Sequence, residues 1–297
     1  MSAILNGTHL LMKKCRGDWN KVSKHRDLTE DFIRRHYINL NWDLVCDHHT
    51  LSEDLIRDFC DRVNWSLVSK RQKLSDGFIK EFRYRVDWKI VSKHQTLSED
   101  MIRMFHDKLD WRLVCFWQTL SEDLMRDFIH KLKWKEVCRK QKLSEAFMRE
   151  FIYRIRWFEV SMYQSLSIDF ATDFKHKIFW YVVGGEPEQI LSEQFIRTFS
   201  DVLDWDSICT GQRLSENFMR EFKDKMSWDL ASGHQSMSEE FITEFEDRLT
   251  WIWLGSECQK LSEDFIRKYA DRFDWYWIFR CQDLSPEFIE EFKHKKR

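Results

Sequence analysis

Residue types that can do chemistry are plentiful in this chain, so the first question is whether any are spaced for it. Cys46, Asp47, His48 and His49 form a run of metal-ligand types, and Cys60 follows. Zinc fingers separate a close cysteine pair from a close histidine pair, and this run does not. Both cysteines also suit packing roles, so no metal is expected. Cys46, Cys115, Cys138 and Cys209 each stand four residues after a tryptophan, where other stretches place Ser23, Ser69, Ser92, Ser161, Ser232, Gly184 or Gly255. Exchange among Cys, Ser and Gly asks for something small and packed. A disulfide framework would not survive it, so reduced thiols and an intracellular setting are the expectation. Gly184-Gly185-Glu186-Pro187-Glu188 is glycine-rich but lacks the Gly-Lys-Ser/Thr ending of a phosphate loop. No H-E-x-x-H, G-x-S-x-G or G-x-G-x-x-G motif occurs. The many acids fall at helix starts, where capping explains them. The sequence therefore points away from an enzyme and implies no cofactor.

Three stretches suit binding instead. In the first, Leu166-Ser167 is followed by Ile168 where an acid is usual, and Phe179 stands where a capping Asp is usual. Tyr181, Val182, Gly184, Gly185, Glu186 and Pro187 follow, with two inserted residues. Lost charge and gained apolar surface suggest a contact patch; the plain alternative is a drifted repeat with a harmless loop. The second is basic: Lys131, Lys133, Lys135, Arg139, Lys140, Lys142, Arg149, Arg154 and Arg156 meet only Glu136, Glu145 and Glu150 between 131 and 156. Such a run engages an acidic protein or a nucleic-acid backbone, or is simply a solvated face. The third is an aromatic crowd in which Trp253, Tyr276 and Trp277 exceed what the pattern below requires. Extra rings of this kind pack a terminus or anchor a partner.

These stretches hang on a repeat. Residues 97–120, LSEDMIRMFHDKLDWRLVCFWQTL, run from one Leu-Ser into the next, and the period is 23 residues. Units begin at Leu28, Leu51, Leu74, Leu97, Leu120, Leu143, Leu166, Leu191, Leu214, Met237, Leu261 and Leu284. Each first half reads as a helix, with the Ser as N-cap and Glu or Asp in its first turn. Apolar residues at plus 4, 5, 8 and 12, such as Phe195, Ile196, Phe199 and Leu203, draw one stripe that predicts a helix of about 12 residues. Glu53/Arg57 and Glu99/Arg103 add four-apart pairs.

A shorter helix starts at each tryptophan. Its expected caps are Asp18, Asn41, Asn64, Asp87, Asp110, Asp204 and Asp274, with Ser227 and Thr250 elsewhere. A glutamine two before nearly every Leu-Ser, as in Gln72, Gln95 and Gln118, predicts a buried amide ladder that joins adjacent units. A leucine-rich repeat has a similar period, but its L-x-x-L-x-L strand occurs in no unit.

The expected fold is all-α: an αα-solenoid, a superhelical array of about twelve 23-residue units in one continuous domain. Residues 1–27 read as an N-terminal capping repeat, 28–283 as tandem repeats with an irregular unit at 166–190, and 284–297 as a C-terminal capping helix. Lys13, Gly17 and His9 stand where large apolar residues would, as an end repeat allows. The first residues, MSAILNGTHLLMKKCRGDW, have no charged region before the apolar part and read as mature protein.

The unit LSEDFIR…F…DW…Q resembles tandem repeats of large DNA viruses of amoebae, the mimivirus and marseillevirus relatives. The likeness covers about residues 19–295. It implies a viral helical-repeat protein, in host cytoplasm or virion, and carries over no catalytic or binding residue.

With 48 basic against 50 acidic residues the chain is near neutral, which argues against a dedicated nucleic-acid binder. No apolar run is long enough for a membrane span. Two function classes remain. The leading one is a scaffold that binds protein, itself included, through the 166–190 region and a variable face. The other is nucleic-acid binding through 131–156.

Overall fold

The computed structural model describes residues 11, 13–186, 189–256 and 259–295. Among them are 23 α-helices, two 3-10 turns and no strand. The chain is an α-solenoid of repeated two-helix units. It divides into two compact units, Met1–Gln141 and Lys142–Arg297.

Each repeat holds a Ser-led helix, such as Glu53–Asp58 or Glu99–Met104, and a Trp-led helix, such as Trp65–Arg71 or Trp111–Trp117. In the Ser-led helices the serine Oγ accepts the N–H three residues on: Leu55 N lies 3.1 Å from Ser52 Oγ and Phe218 N lies 3.2 Å from Ser215 Oγ. One free donor of the first turn is thereby satisfied.

The Ser-led helix is half as long as the stripe predicts. It stops at the phenylalanine of plus 8, where Phe59 turns to φ −119°, ψ 28°. Tight turns follow, with Arg62 N on Phe59 O at 2.8 Å and Val63 N on the same oxygen at 3.1 Å. The tryptophan indole ties this turn to the next helix. Trp65 Nε1 donates to Cys60 O at 2.9 Å, and Trp111 Nε1 to His106 O at 2.8 Å. Val63 still reaches the core from the turn, so the apolar spacing survives.

Asn41, Asn64, Asp87, Asp110, Asp204, Asp274 and Asp18 cap the Trp-led helices as expected. Ser227 and Thr250 do not: neither side chain makes a cap bond. The residue before the tryptophan has ψ between 87° and 109° in these helices, against 152° at Ser52 and Ser215. That backbone suits the longer Asx side chain and leaves a hydroxyl short of its donor.

The core forms where the two helix rows meet. Phe78, Ile79, Val91 and Cys115 are fully buried in the first unit, as are Phe218, Met219, Ile208 and Cys209 in the second. Within each unit the tryptophans that open these helices lie against rings of the following repeat, with Trp65 at 4.9 Å from Phe82 and Trp205 at 5.2 Å from Phe222. The glutamines make the expected ladder. Gln118 Oε1 accepts Leu97 N at 3.0 Å, while its Nε2 donates to Ser92 O and Gln95 O at 3.1 and 2.7 Å. One amide thus satisfies three backbone groups across two repeats. His49 holds this place once, with Nε2 at 2.8 Å from Ser23 O.

The small position after each tryptophan does more than save space. Ser92 Oγ donates to Trp88 O at 2.6 Å and accepts Asp110 N at 3.0 Å. Cys115 Sγ accepts Lys133 N at 3.5 Å in the same way. Serine and cysteine therefore exchange as acceptors for the start of the next Trp-led helix.

Near the beginning of the chain, Leu11 and Cys15 are buried while Lys13 and Gly17 are exposed. His9 lies outside the described residues. At the other end Ser285 caps a helix that begins with Pro286, and Phe288 is fully buried.

Candidate interaction surface

Charges along the Ser-led row are committed from one repeat to the next. Arg57 Nε lies 2.9 Å from Glu81, Arg149 Nη2 2.6 Å from Asp173, Arg197 Nε 2.8 Å from Glu221 and Arg220 Nε 2.8 Å from Glu244. The first-turn glutamates are committed too. Glu30 accepts Ser52 N at 2.7 Å and Ser52 Oγ at 2.9 Å, and Glu145 treats Ser167 alike. The N–H and hydroxyl of Ser285 hold the Glu263 carboxyl below its usual range. This row repeats one chemistry, as a scaffold does.

The outer positions of the Trp-led helices, one, five and six residues after the tryptophan, do not. In the second unit Phe158 holds the first of these positions after Trp157, and Tyr181 after Trp180. Phe179 is 5.7 Å from Phe158 and 6.2 Å from Tyr181, and Phe158 is 6.4 Å from Tyr181. Phe179 is 41% exposed and Tyr181 60%. Three rings from two neighbouring repeats thus form one surface cluster. Phe158 was not among the sequence candidates; its signal is the position directly after a tryptophan, which it shares with Tyr181.

The rest of this candidate patch adds no ring to the cluster. The helix at Trp180 shrinks to a 3-10 turn, Trp180–Val182. Val182 and Glu186 are half-buried, Gly184 is buried and Gly185 exposed. Gly184 has φ +81°, and a Cβ there would lie 2.8 Å from Leu191 Cδ1. Its carbonyl accepts Gln212 Nε2 at 2.7 Å, so the loop is anchored to the next repeat. Ile168 opens the Ser-led helix Ile168–Asp173, half-buried and on the other row. Pro187 lies outside the described residues.

Near the C-terminal end Trp253 and Tyr276 are exposed, and Trp277 is half-buried. Tyr276 meets Trp277 at 5.1 Å and accepts Arg280 Nη1 at 2.9 Å. Trp253 packs over Gly233.

The basic run resolves into unlike parts. Lys131 pairs with Asp107 and donates to His106 O at 3.3 Å; Arg149 pairs with Asp173. Lys133 is exposed at the start of Trp134–Lys140. Lys135, Arg139 and Lys140 lie on the outer face of that helix, with Lys140 Nζ 5.0 Å and Arg139 Cζ 5.9 Å from the Phe116 ring. Lys142, Arg154 and Arg156 belong to the second unit and are exposed.

The metal-type run is built into the scaffold. The Cys46 thiol is buried, and burial pushes it up to about 11. Asp47 receives Arg71 Nε at 2.8 Å, and His49 is joined to Ser23. Among the described residues no three His, Cys, Asp or Glu side chains are grouped to hold a metal ion. Among the same residues no helix is long and apolar enough to cross a membrane.

Comparison of the chain with protein-family models, with curated proteins and with solved structures gives no match in any of the three.

Proposed function

We propose that this chain is a non-enzymatic repeat scaffold that binds protein, a second copy of itself in the first place, through the Phe158–Phe179–Tyr181 cluster. The carrying observation is that cluster: rings contributed by two repeats, held at contact distance and open to solvent. Exposed aromatic side chains are favoured interface anchors because they bury large area with few rotors. The repeated glutamine, small-residue and first-turn glutamate positions hold neighbouring repeats together, which leaves recognition to the positions that vary. Self-association would suit the chain to a structural part in a particle or assembly.

The test is the mass in solution. Light scattering after size exclusion should give a mass that climbs above the 36.6 kDa protomer with concentration. Phe179→Asp with Tyr181→Asp should hold it at the protomer value with helicity unchanged. A parent chain that stays at protomer mass over the whole concentration range sinks the proposal.

A further inference from the structure

A second surface, in the first unit, shares no residue with the aromatic cluster and goes beyond the self-association reading. The helices Trp88–His94, Trp111–Trp117 and Trp134–Lys140 pack in sequence, so their outer positions align. One residue after the tryptophan they carry Lys89, Arg112 and Lys135; five and six after, they add Lys93, Arg139 and Lys140 around Phe116 and Trp117. Lys93 Nζ sits 5.4 Å from the Trp117 ring and Lys140 Nζ 5.0 Å from Phe116. Phe116 and Trp117 lie 5.0 Å apart, and Trp117 is 53% exposed. Together these helices border a groove of about 420 Å³.

Its two carboxylates are already engaged. Asp110 caps its helix by accepting Arg112 N and Leu113 N, and the buried Glu136 accepts Arg112 Nε at 3.1 Å. Lys89, Arg112, Lys135 and Arg139 line it against Asp110 and Glu136, so the groove carries a positive excess although the chain as a whole is near neutral.

We propose that this groove binds single-stranded nucleic acid without strong sequence preference. Cations beside an exposed indole and a half-buried phenyl ring match a strand that offers phosphates and unpaired bases together, since every base has a stacking face. A duplex keeps its bases stacked inside, and an acidic peptide has no use for the indole.

The test is anisotropy of a fluorescent oligothymidine of about 20 nucleotides, titrated with the full chain at about 50 mM salt. Binding should weaken with salt. Trp117→Ala should weaken it about 5- to 150-fold, the range for loss of one stacked base. Lys135→Gln with Lys140→Gln should lower the salt slope by about 0.7 per lost phosphate contact, and it carries the test if the alanine chain loses helicity. Phe179→Asp with Tyr181→Asp should bind the oligonucleotide as the parent does, so failure of self-association is separately visible. No binding at low salt, or no loss in either groove variant, overturns the proposal. So does equal binding of a blunt duplex or of polyglutamate with no effect of Trp117→Ala.

Discussion

Gly211 ends the helix Trp205–Gly211, and helix propensity alone says that alanine there should stabilise by up to about 1 kcal/mol. The packing says the opposite. A Cβ on Gly211 would fall 2.3 Å from Gly184 O and 3.3 Å from Gly185 Cα. The obstacle is backbone, and that same carbonyl is tied to Gln212 Nε2 at 2.7 Å. Making room means moving the 184–185 loop, at an overpacking cost of about 1–3 kcal/mol. Disturbing the amide bond adds about 0.5–1.5 kcal/mol. The clash wins, and Gly211→Ala should destabilise by about 1–3 kcal/mol net. Gly233, in Trp228–His234, is the control. Its added Cβ would meet Trp253 Cβ at 3.5 Å, an ordinary contact, so Gly233→Ala should stabilise by up to about 1 kcal/mol. Urea midpoints read by circular dichroism give the two signs. Hydrogen exchange gives the location: Gly184 N, bonded to Gln189 Oε1 at 2.6 Å, should lose protection in Gly211→Ala alone. Midpoints that rise for both substitutions, with Gly184 still protected, would refute the packing argument.

Two further predictions concern the amide ladder. At His49, burial first and then His48 and His25 lower the pKa below 6.5, so the folded state favours the neutral ring. The unfolded chain therefore takes up the proton first: the contribution is complete above 6.5 and is lost as pH falls through the lowered value. His49→Gln, which restores the usual ladder residue, should flatten the drop in melting temperature between about pH 7.5 and 5.5; an equal drop in both chains would remove the idea. Gln118→Leu leaves Leu97 N, Ser92 O and Gln95 O without their amide partner in a buried place, and should cost about 3 kcal/mol or more. Gln282→Leu should cost less, because Gln282 is only half-buried and water can replace it; equal midpoint shifts would show that burial does not set the cost.

The sequence was legible where one position has one job. The Leu-Ser start, the plus 4 and 5 core pair and the glutamine amide each leave a mark at fixed spacing, and each is found as read. It was not legible where two structures leave the same mark. A 12-residue helix and a six-residue helix followed by tight turns both bury Val63, so spacing could not tell them apart. Ser92 and Cys115 are alike in size, and size alone was read; their shared bond to an N–H 18 residues on is a tertiary fact. Glu53 was read as a dipole partner and a mate for Arg57, yet it also binds Ser75 of the next repeat. Phe158 passed unnoticed because it sits in a repeat that keeps its other marks, and only folding sets it beside Phe179 and Tyr181.

Why recognition should fall to the Trp-led row follows from what each row must do. On the Ser-led row an arginine of one repeat needs a carboxylate at the matching place in the next, so changing either end strands its mate. Each exposed pair contributes only about 0.2–1 kcal/mol, but the requirement recurs in both units. On the Trp-led row the contacts between repeats change chemistry as they go. Asn64 donates to Asp43, Arg71 pairs with Asp47, Lys93 lies over Trp117, and Phe158 meets Phe179. No single pairing is needed to hold these helices together, since the glutamine amides and the small acceptor position already do so from the inner side. Residues there are free to diverge at little cost in stability. That freedom allows one scaffold to carry a cation-and-ring groove on its first unit and a ring cluster on its second.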